Sequence, residues 1–185
     1  MRPQKVNDQD LLEGLMSVIR SKGYDGSSLN ELAGSSGLQK ASLYHRFPNG
    51  KKEITAVVLD YVEKWVTDNI LSLLSDTNIP PSERLEKALI NIDDLYGGGQ
   101  KTCILRALTM DSNLELFGEQ LSQIMSQWIT GFNTLGVAFG LSESDAKSKA
   151  EQTLILIQGS LIVSKALSDL SPFQKTLASI KAMYS

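Results

Sequence analysis

The sequence predicts an all-α fold of about nine helices, and three observations predict it. Apolar residues recur at three- and four-residue spacing through every long segment. Period-two alternation is absent over any useful length. The breaks between periodic stretches are built of Gly, Pro, Ser and Asn. The pattern divides into a three-helix N-terminal part over residues 1–50 and a larger helical body over residues 51–185.

The first helix is expected from about Asp8 to Lys22, with Leu11, Leu12, Leu15, Met16 and Ile19 as its apolar stripe. Asn7 serves as N-cap, and Gly23 is placed to end the helix. Ser28-x-x-Glu31 has capping-box form and opens a short second helix that buries Leu29, Leu32 and Ala33. Gly34-Ser35-Ser36-Gly37 interrupts it, and a third helix covers about Gln39 to Arg46. Pro48-Asn49-Gly50 turns the chain into a long helix from Lys51 to about Leu74. Beyond Ile79-Pro80-Pro81-Ser82 a helix runs from about Pro81 to Tyr96, and Gly97-Gly98-Gly99 reads as a flexible loop. A short segment from Thr102 to Met110 precedes a helix from about Leu114 to Phe139. Ser142-x-x-Asp145 opens another to about Ser168, and Ser171-Pro172 starts a last one ending near Met183.

Composition narrows the function. The chain has 185 residues, 42% hydrophobic and 21% charged, which is ordinary globular usage for one or two domains. No apolar run approaches the roughly 18 residues that span a bilayer. The opening MRPQKVNDQD is polar where a signal peptide is apolar, so a cytoplasmic protein without a membrane partner is expected. Cys103 is the sole cysteine and His45 the sole histidine. One of each argues against a disulfide scaffold, a thiolate zinc site, a His-pair metal motif and a His-dependent triad. No metal, no cofactor and no catalytic residues are therefore expected. Net charge is −3, yet residues 1–52 hold eight basic and five acidic side chains. A basic first quarter on an acidic body suits an end that meets a polyanion.

Residues 28–47, SLNELAGSSGLQKASLYHRF, form two short helices joined by a glycine-containing turn, a helix-turn-helix pattern. Leu29, Leu32, Ala33, Leu38, Leu43 and Phe47 supply the internal packing, and Gly37 is available for a positive φ. That leaves Gln39, Lys40, Ser42, Tyr44 and His45 outward on the second of the two helices, with hydrogen-bonding groups, one charge and two rings suited to groove edges and phosphates. Short αα-hairpins with a glycine turn also occur in helical proteins that bind no DNA, so the pattern alone leaves both readings open.

Gly37-Leu38-Gln39-Lys40-Ala41-Ser42-Leu43-Tyr44-His45-Arg46-Phe47-Pro48, followed by Lys51-Lys52-Glu53-Ile54, resembles the signature of the TetR family of transcriptional regulators. The resemblance is specific over about residues 8–60; further on it rests on helix number and lengths. The extra glycine in Phe47-Pro48-Asn49-Gly50-Lys51 is similar to the branch that contains LmrA- and YxaF-like regulators of drug-efflux genes. The resemblance implies a third helix in the major groove and a fourth whose start meets the DNA backbone. It places Ser28, Gln39, Lys40, Ala41, Ser42, Tyr44, His45, Lys51 and Lys52 at the DNA. Tyr44 and Lys51 would each meet a phosphate, and Lys52 shares the role of Lys51 because of the inserted Gly50. Ala41 would make an apolar contact, of the kind a thymine methyl offers.

The resemblance also implies an effector pocket in the body and a homodimer on a palindromic operator. Tyr61, Trp65, Met110, Phe117, Met125, Trp128 and Phe132 are the large side chains available for a small molecule, and each equally suits plain core. Cys103, beside Lys101, Arg106 and the glycine loop, has surroundings that favour a thiolate, and NemR-like members of the family sense electrophiles with a cysteine. The other reading of Cys103 is a small buried hydrophobe. Residues 154–167, LILIQGSLIVSKAL, are apolar over much of the helix circumference, so Leu156, Gly159, Leu161 and Ile162 with Leu177 and Ile180 form the expected dimer interface. The leading expectation is a ligand-responsive repressor. The alternatives are a helical enzyme with an incidental helix-turn-helix and a constitutive DNA-binding protein without effector.

Overall fold

A computed structural model of the chain describes residues 6–109 and 112–184. The helices are α1 (Asp8–Gly26), α2 (Leu29–Ser35), α3 (Lys40–Arg46) and α4 (Lys51–Val66), followed by a π-helical turn (Thr67–Leu71) and α5 (Ser72–Ser75). Then come α6 (Pro81–Tyr96), α7 (Ile104–Ala107), α8 (Ser112–Ala138), α9 (Glu143–Leu167) and α10 (Ser171–Tyr184). The π turn joins α4 and α5 into one continuous rod, so the described residues form nine helices and no strand. None of the helices, among the described residues, is long and apolar enough to cross a membrane.

The chain clusters into two compact units, one reaching to Val62 and including Ile104–Gln120, the other holding Glu63–Cys103 and the chain from Leu121 onward. In the first, the Asn7 side chain caps α1 by accepting from the Gln9 amide at 3.1 Å, and Leu11, Leu15 and Ile19 are buried. Regular helix stops at Gly23 as the sequence predicts, but the helix resumes to Gly26 across its non-helical backbone (φ 72°, ψ −178°). Only glycine takes that conformation readily. Gly14 carries a second backbone requirement, which the sequence does not announce. A Cβ there would lie 2.1 Å from the Ser35 carbonyl oxygen, so α1 and α2 touch backbone to backbone.

The second unit is organised around α6, α9 and α10. Arg84 is buried and donates Nε to the Ile79 carbonyl at 2.6 Å, closing the turn before α6. The wide π turn leaves the Asn69 carbonyl to accept from Asn91 Nδ2 at 2.6 Å. Gly97, Gly98 and Gly99 form a defined turn, all at positive φ (55°, 66° and 95°). Gly98 donates back to the Asp93 carbonyl at 2.9 Å, ending α6 in the left-handed manner. A Cβ on Gly99 would press on the Phe173 side chain at 3.0 Å. Ser142 caps α9 by accepting from the Asp145 amide, and α10 packs on α9 through Ser164 Oγ, which accepts from the Phe173 amide at 3.1 Å.

Candidate nucleic-acid interface

The helix-turn-helix rests on α2, whose capping box is complete. Ser28 Oγ accepts from the Glu31 amide, and the Glu31 carboxylate accepts from the Ser28 amide at 3.0 Å and its hydroxyl at 2.8 Å. The Lys22 ammonium and Ser28 together hold the Glu31 carboxyl far below its ordinary value, at about 2. Gly37 takes φ 70° in the turn, and the buried Ser36 hydroxyl donates to the Ala33 carbonyl at 2.9 Å. Leu32, Ala33, Leu43 and Phe47 are buried, while Leu29 and Leu38 are half-buried.

With Leu43 and the capping Phe47 as its inward anchors, α3 leaves everything else outside. Gln39, Lys40, Ala41, Ser42, Tyr44, His45 and Arg46 are all exposed, Tyr44 at 43%. Seven adjoining positions thus bring together one amide, two cations, a hydroxyl, a phenol, an imidazole and a methyl on a helix narrow enough for a major groove. Arg46 pairs with Asp8 at 2.9 Å, fastening the end of α3 to the start of α1.

The two lysines at the start of α4 differ. Lys52 is exposed, whereas Lys51 is half-buried. The Lys51 ammonium lies 4.4 Å from the centroid of the Tyr24 ring and donates to the Ser27 carbonyl at 3.1 Å. Tyr24 meets Phe117 edge-on at a centroid distance of 5.2 Å. Burial, with the Asp25 carboxylate adding to it, pushes the Tyr24 phenol above its ordinary pKa. Sequence reasoning missed Tyr24, because only the glycine before it hints that the chain turns there.

The proposed effector residues are divided between the two units. Phe117 is buried in the first unit against Tyr24, and Tyr61 donates weakly to Glu13 at 3.5 Å in the same unit. In the second unit Trp128 and Phe132 are buried and stacked at 6.3 Å, with Tyr184 6.2 Å from Phe132; Trp65 and Met125 are half-buried. Met110 lies outside the described residues. Cys103 is only 2% exposed, and its sulfur accepts from the Tyr96 hydroxyl at 3.5 Å. The glycine loop does not open it to solvent, and its burial is that of the second reading, a small buried hydrophobe.

The proposed dimer residues also separate. Leu161, Leu177 and Ile180 are buried within the single chain, Leu156 and Gly159 are half-buried, and Ile162 is exposed. Ile155 (69% exposed), Val163 and Leu167 (64%) extend the outward set along α9, and a Cβ on Gly159 would meet nothing within 4 Å. The structure therefore places Leu161, Leu177 and Ile180 in the chain's own core and leaves the outward stripe to Ile155, Gly159, Ile162, Val163 and Leu167.

Residues 11–56 match the sequence profile of bacterial regulatory proteins, tetR family. Two Bacillus subtilis proteins, the HTH-type transcriptional regulators YxaF and LmrA, are each 22% identical to the chain and cover 89% of it. The matches span 87% of YxaF and 89% of LmrA. Among solved structures, a TetR transcriptional regulator from Legionella pneumophila superposes with a TM-score of 0.81 at 16% identity, over 98% of both chains. A CifR cysteine mutant, solved with 26-bp double-strand operator DNA, gives 0.75 at 19% identity, over 99% of this chain and 98% of that one.

Proposed function

We propose that this chain, a member of the TetR family of transcriptional regulators, acts in the cytoplasm as a homodimeric repressor that a small molecule releases from its operator. The observation that carries the DNA side of this reading is α3, which buries Leu43 and Phe47 and turns Gln39, Lys40, Ala41, Ser42, Tyr44 and His45 outward together. In the major groove, Gln39, Lys40, Ser42 and His45 read base edges, Ala41 offers a methyl contact, and the Tyr44 hydroxyl meets a phosphate. Ser28 at the head of α2 and Lys52 at the head of α4 face the flanking backbone.

The stripe of Ile155, Gly159, Ile162, Val163 and Leu167 supports pairing of two copies, since an unpartnered apolar helix face of this length suits an isologous interface. Two reading helices related by a two-fold axis call for a near-palindromic site with half-sites about one helical turn, or a multiple of it, apart. The complex of the structurally similar CifR mutant with double-strand operator DNA supports binding to an operator duplex. The effector binds in the body, where Trp65 and Met125 are half-buried and Trp128 and Phe132 stack on one another. It shifts the equilibrium by binding the DNA-free state more tightly.

Selection from a random-sequence duplex pool tests this. The expected result is one enriched inverted repeat, bound with an affinity that falls steeply with salt. A pool that stays unenriched refutes the reading. A screen of small molecules by melting-temperature shift then separates an effector-controlled repressor from a constitutive binder, because a ligand of the folded state raises the transition.

A further inference from the structure

We propose that Tyr24 is a positioning residue of the DNA interface: its ring and the Ser27 carbonyl hold the half-buried Lys51 ammonium against the protein, so the cation that meets a phosphate at the start of α4 is Lys52. The inference rests on the DNA-binding reading above and assigns a division of labour within it.

The geometry behind it is local and continuous. Gly23, at φ 72°, breaks α1 and lets the next residue leave the helical path. The Tyr24 ring then sits edge-on to Phe117 at 5.2 Å and fixed in place, with the Lys51 Nζ 4.4 Å from its centroid. Three residues on, the Ser27 carbonyl is left without a helical partner and accepts from the same ammonium at 3.1 Å. Lys51 is the first residue of α4, so a tether on its side chain fixes where the first turn of that helix, with its free backbone amides, begins. Those amides and Lys52 are the groups that a phosphate would meet. An ammonium already satisfied by a carbonyl and an aromatic face gives up both contacts if it moves to the DNA. Lys52, exposed and without such contacts among the described residues, does not.

The consequence is a split between affinity and its salt dependence. Each phosphate contact contributes about 0.9 to the slope of log affinity against log salt. The probe is the duplex enriched by the wild-type protein from the random pool, titrated over a salt series. Lys52→Ala is expected to lower the slope by about 0.9 per protomer bound. Lys51→Met and Tyr24→Leu are expected to weaken binding by about three- to tenfold at every salt concentration with the slope unchanged. The double variant is expected to be no weaker than the weaker single one, because both remove the same tether. Tyr24→Phe keeps the ring and binds as wild type. In the free protein, NMR should find the Lys51 ε-methylene protons shifted upfield by the ring in wild type and Tyr24→Phe, and unshifted in Tyr24→Leu.

A loss of slope in Lys51→Met equal to that of Lys52→Ala makes Lys51 a direct phosphate contact and overturns the proposal. So does an unchanged affinity in Tyr24→Leu, or an unshifted Lys51 resonance in wild type. A wild-type protein that enriches no duplex overturns the regulator reading together with the role given to Tyr24, whereas the other failures overturn that role alone.

Discussion

Replacing Gly14 by alanine adds one methyl group to α1, and its position can be worked out before the experiment. The new Cβ would lie 2.1 Å from the Ser35 carbonyl oxygen and 2.8 Å from its carbon. That is more than about 1 Å inside the ordinary C···O contact of about 3.3 Å. Both struck atoms are backbone, so no side chain can swing aside; α2 must move, and it carries the turn into α3. Overpacking of this kind costs about 1–3 kcal/mol, with a direct backbone clash at the upper end. Alanine returns about 1 kcal/mol in helix propensity, which leaves a net loss of about 2 kcal/mol. Gly34→Ala is the matched control on the facing helix, since a Cβ there meets nothing within 4 Å and only the propensity gain remains. In urea unfolding, a slope of about 2 kcal/mol per molar puts the Gly14→Ala midpoint about 1 M below wild type, and Gly34→Ala above it. A Gly14→Ala protein as stable as wild type would show that the two helices do not meet at this distance.

Three further outcomes follow from the same geometry. Ile162→Glu, on the exposed stripe of α9, should leave the melting of the single chain nearly unchanged, turn dimer into monomer in analytical ultracentrifugation and abolish selective DNA binding; Leu161→Glu, one residue away but buried, should instead unfold the chain. Native Cys103 should react with N-ethylmaleimide far more slowly than the urea-unfolded chain, because it is 2% exposed beneath Tyr96; equal rates would contradict its burial. The Glu31 carboxyl is depressed in the folded protein to about 2, first by the Lys22 contact and then by Ser28, so its stabilising share is complete above the ordinary carboxylate range and is lost as pH falls toward about 2. Acid unfolding of Glu31→Gln should lack that component, and identical acid profiles for the two proteins would refute the assignment.

What could be read from the sequence is what depends on neighbours within a few residues. The caps at Asn7, Ser28 and Ser142 and the ends of α2, α3 and α6 are local matters, and each appears where its residues place it. The outer face of α3 was legible for the same reason: once Leu43 and Phe47 point inward, helical periodicity decides the rest. Contacts between distant segments left no such mark. Gly14 is an unremarked residue in a good helix until α2 lies against it. Lys51 looks like its neighbour Lys52 until Tyr24, 27 positions earlier, is seen beneath it. The apolar run of α9 shows the limit most clearly, because Leu161 and Ile162 are equally apolar, yet the folded chain buries one and leaves the other exposed. Aromatic residues have the same ambiguity, and so the pocket candidates scatter between a Tyr24–Phe117 contact and a Trp128–Phe132–Tyr184 cluster.

The outward stripe of α9 also bears on how much of this protein is in working form at a given moment. Ile155, Ile162, Val163 and Leu167 remain in water when a single chain has finished folding, so they add nothing to its own stability. If that stripe pairs two copies as proposed, folding is first order in the newly made chain, while completion of the reading pair is second order. At the small copy numbers typical of gene control, halving synthesis cuts the amount of paired protein by up to fourfold. Occupancy of a site read by the pair would therefore track gene dosage more steeply than any property of one chain suggests.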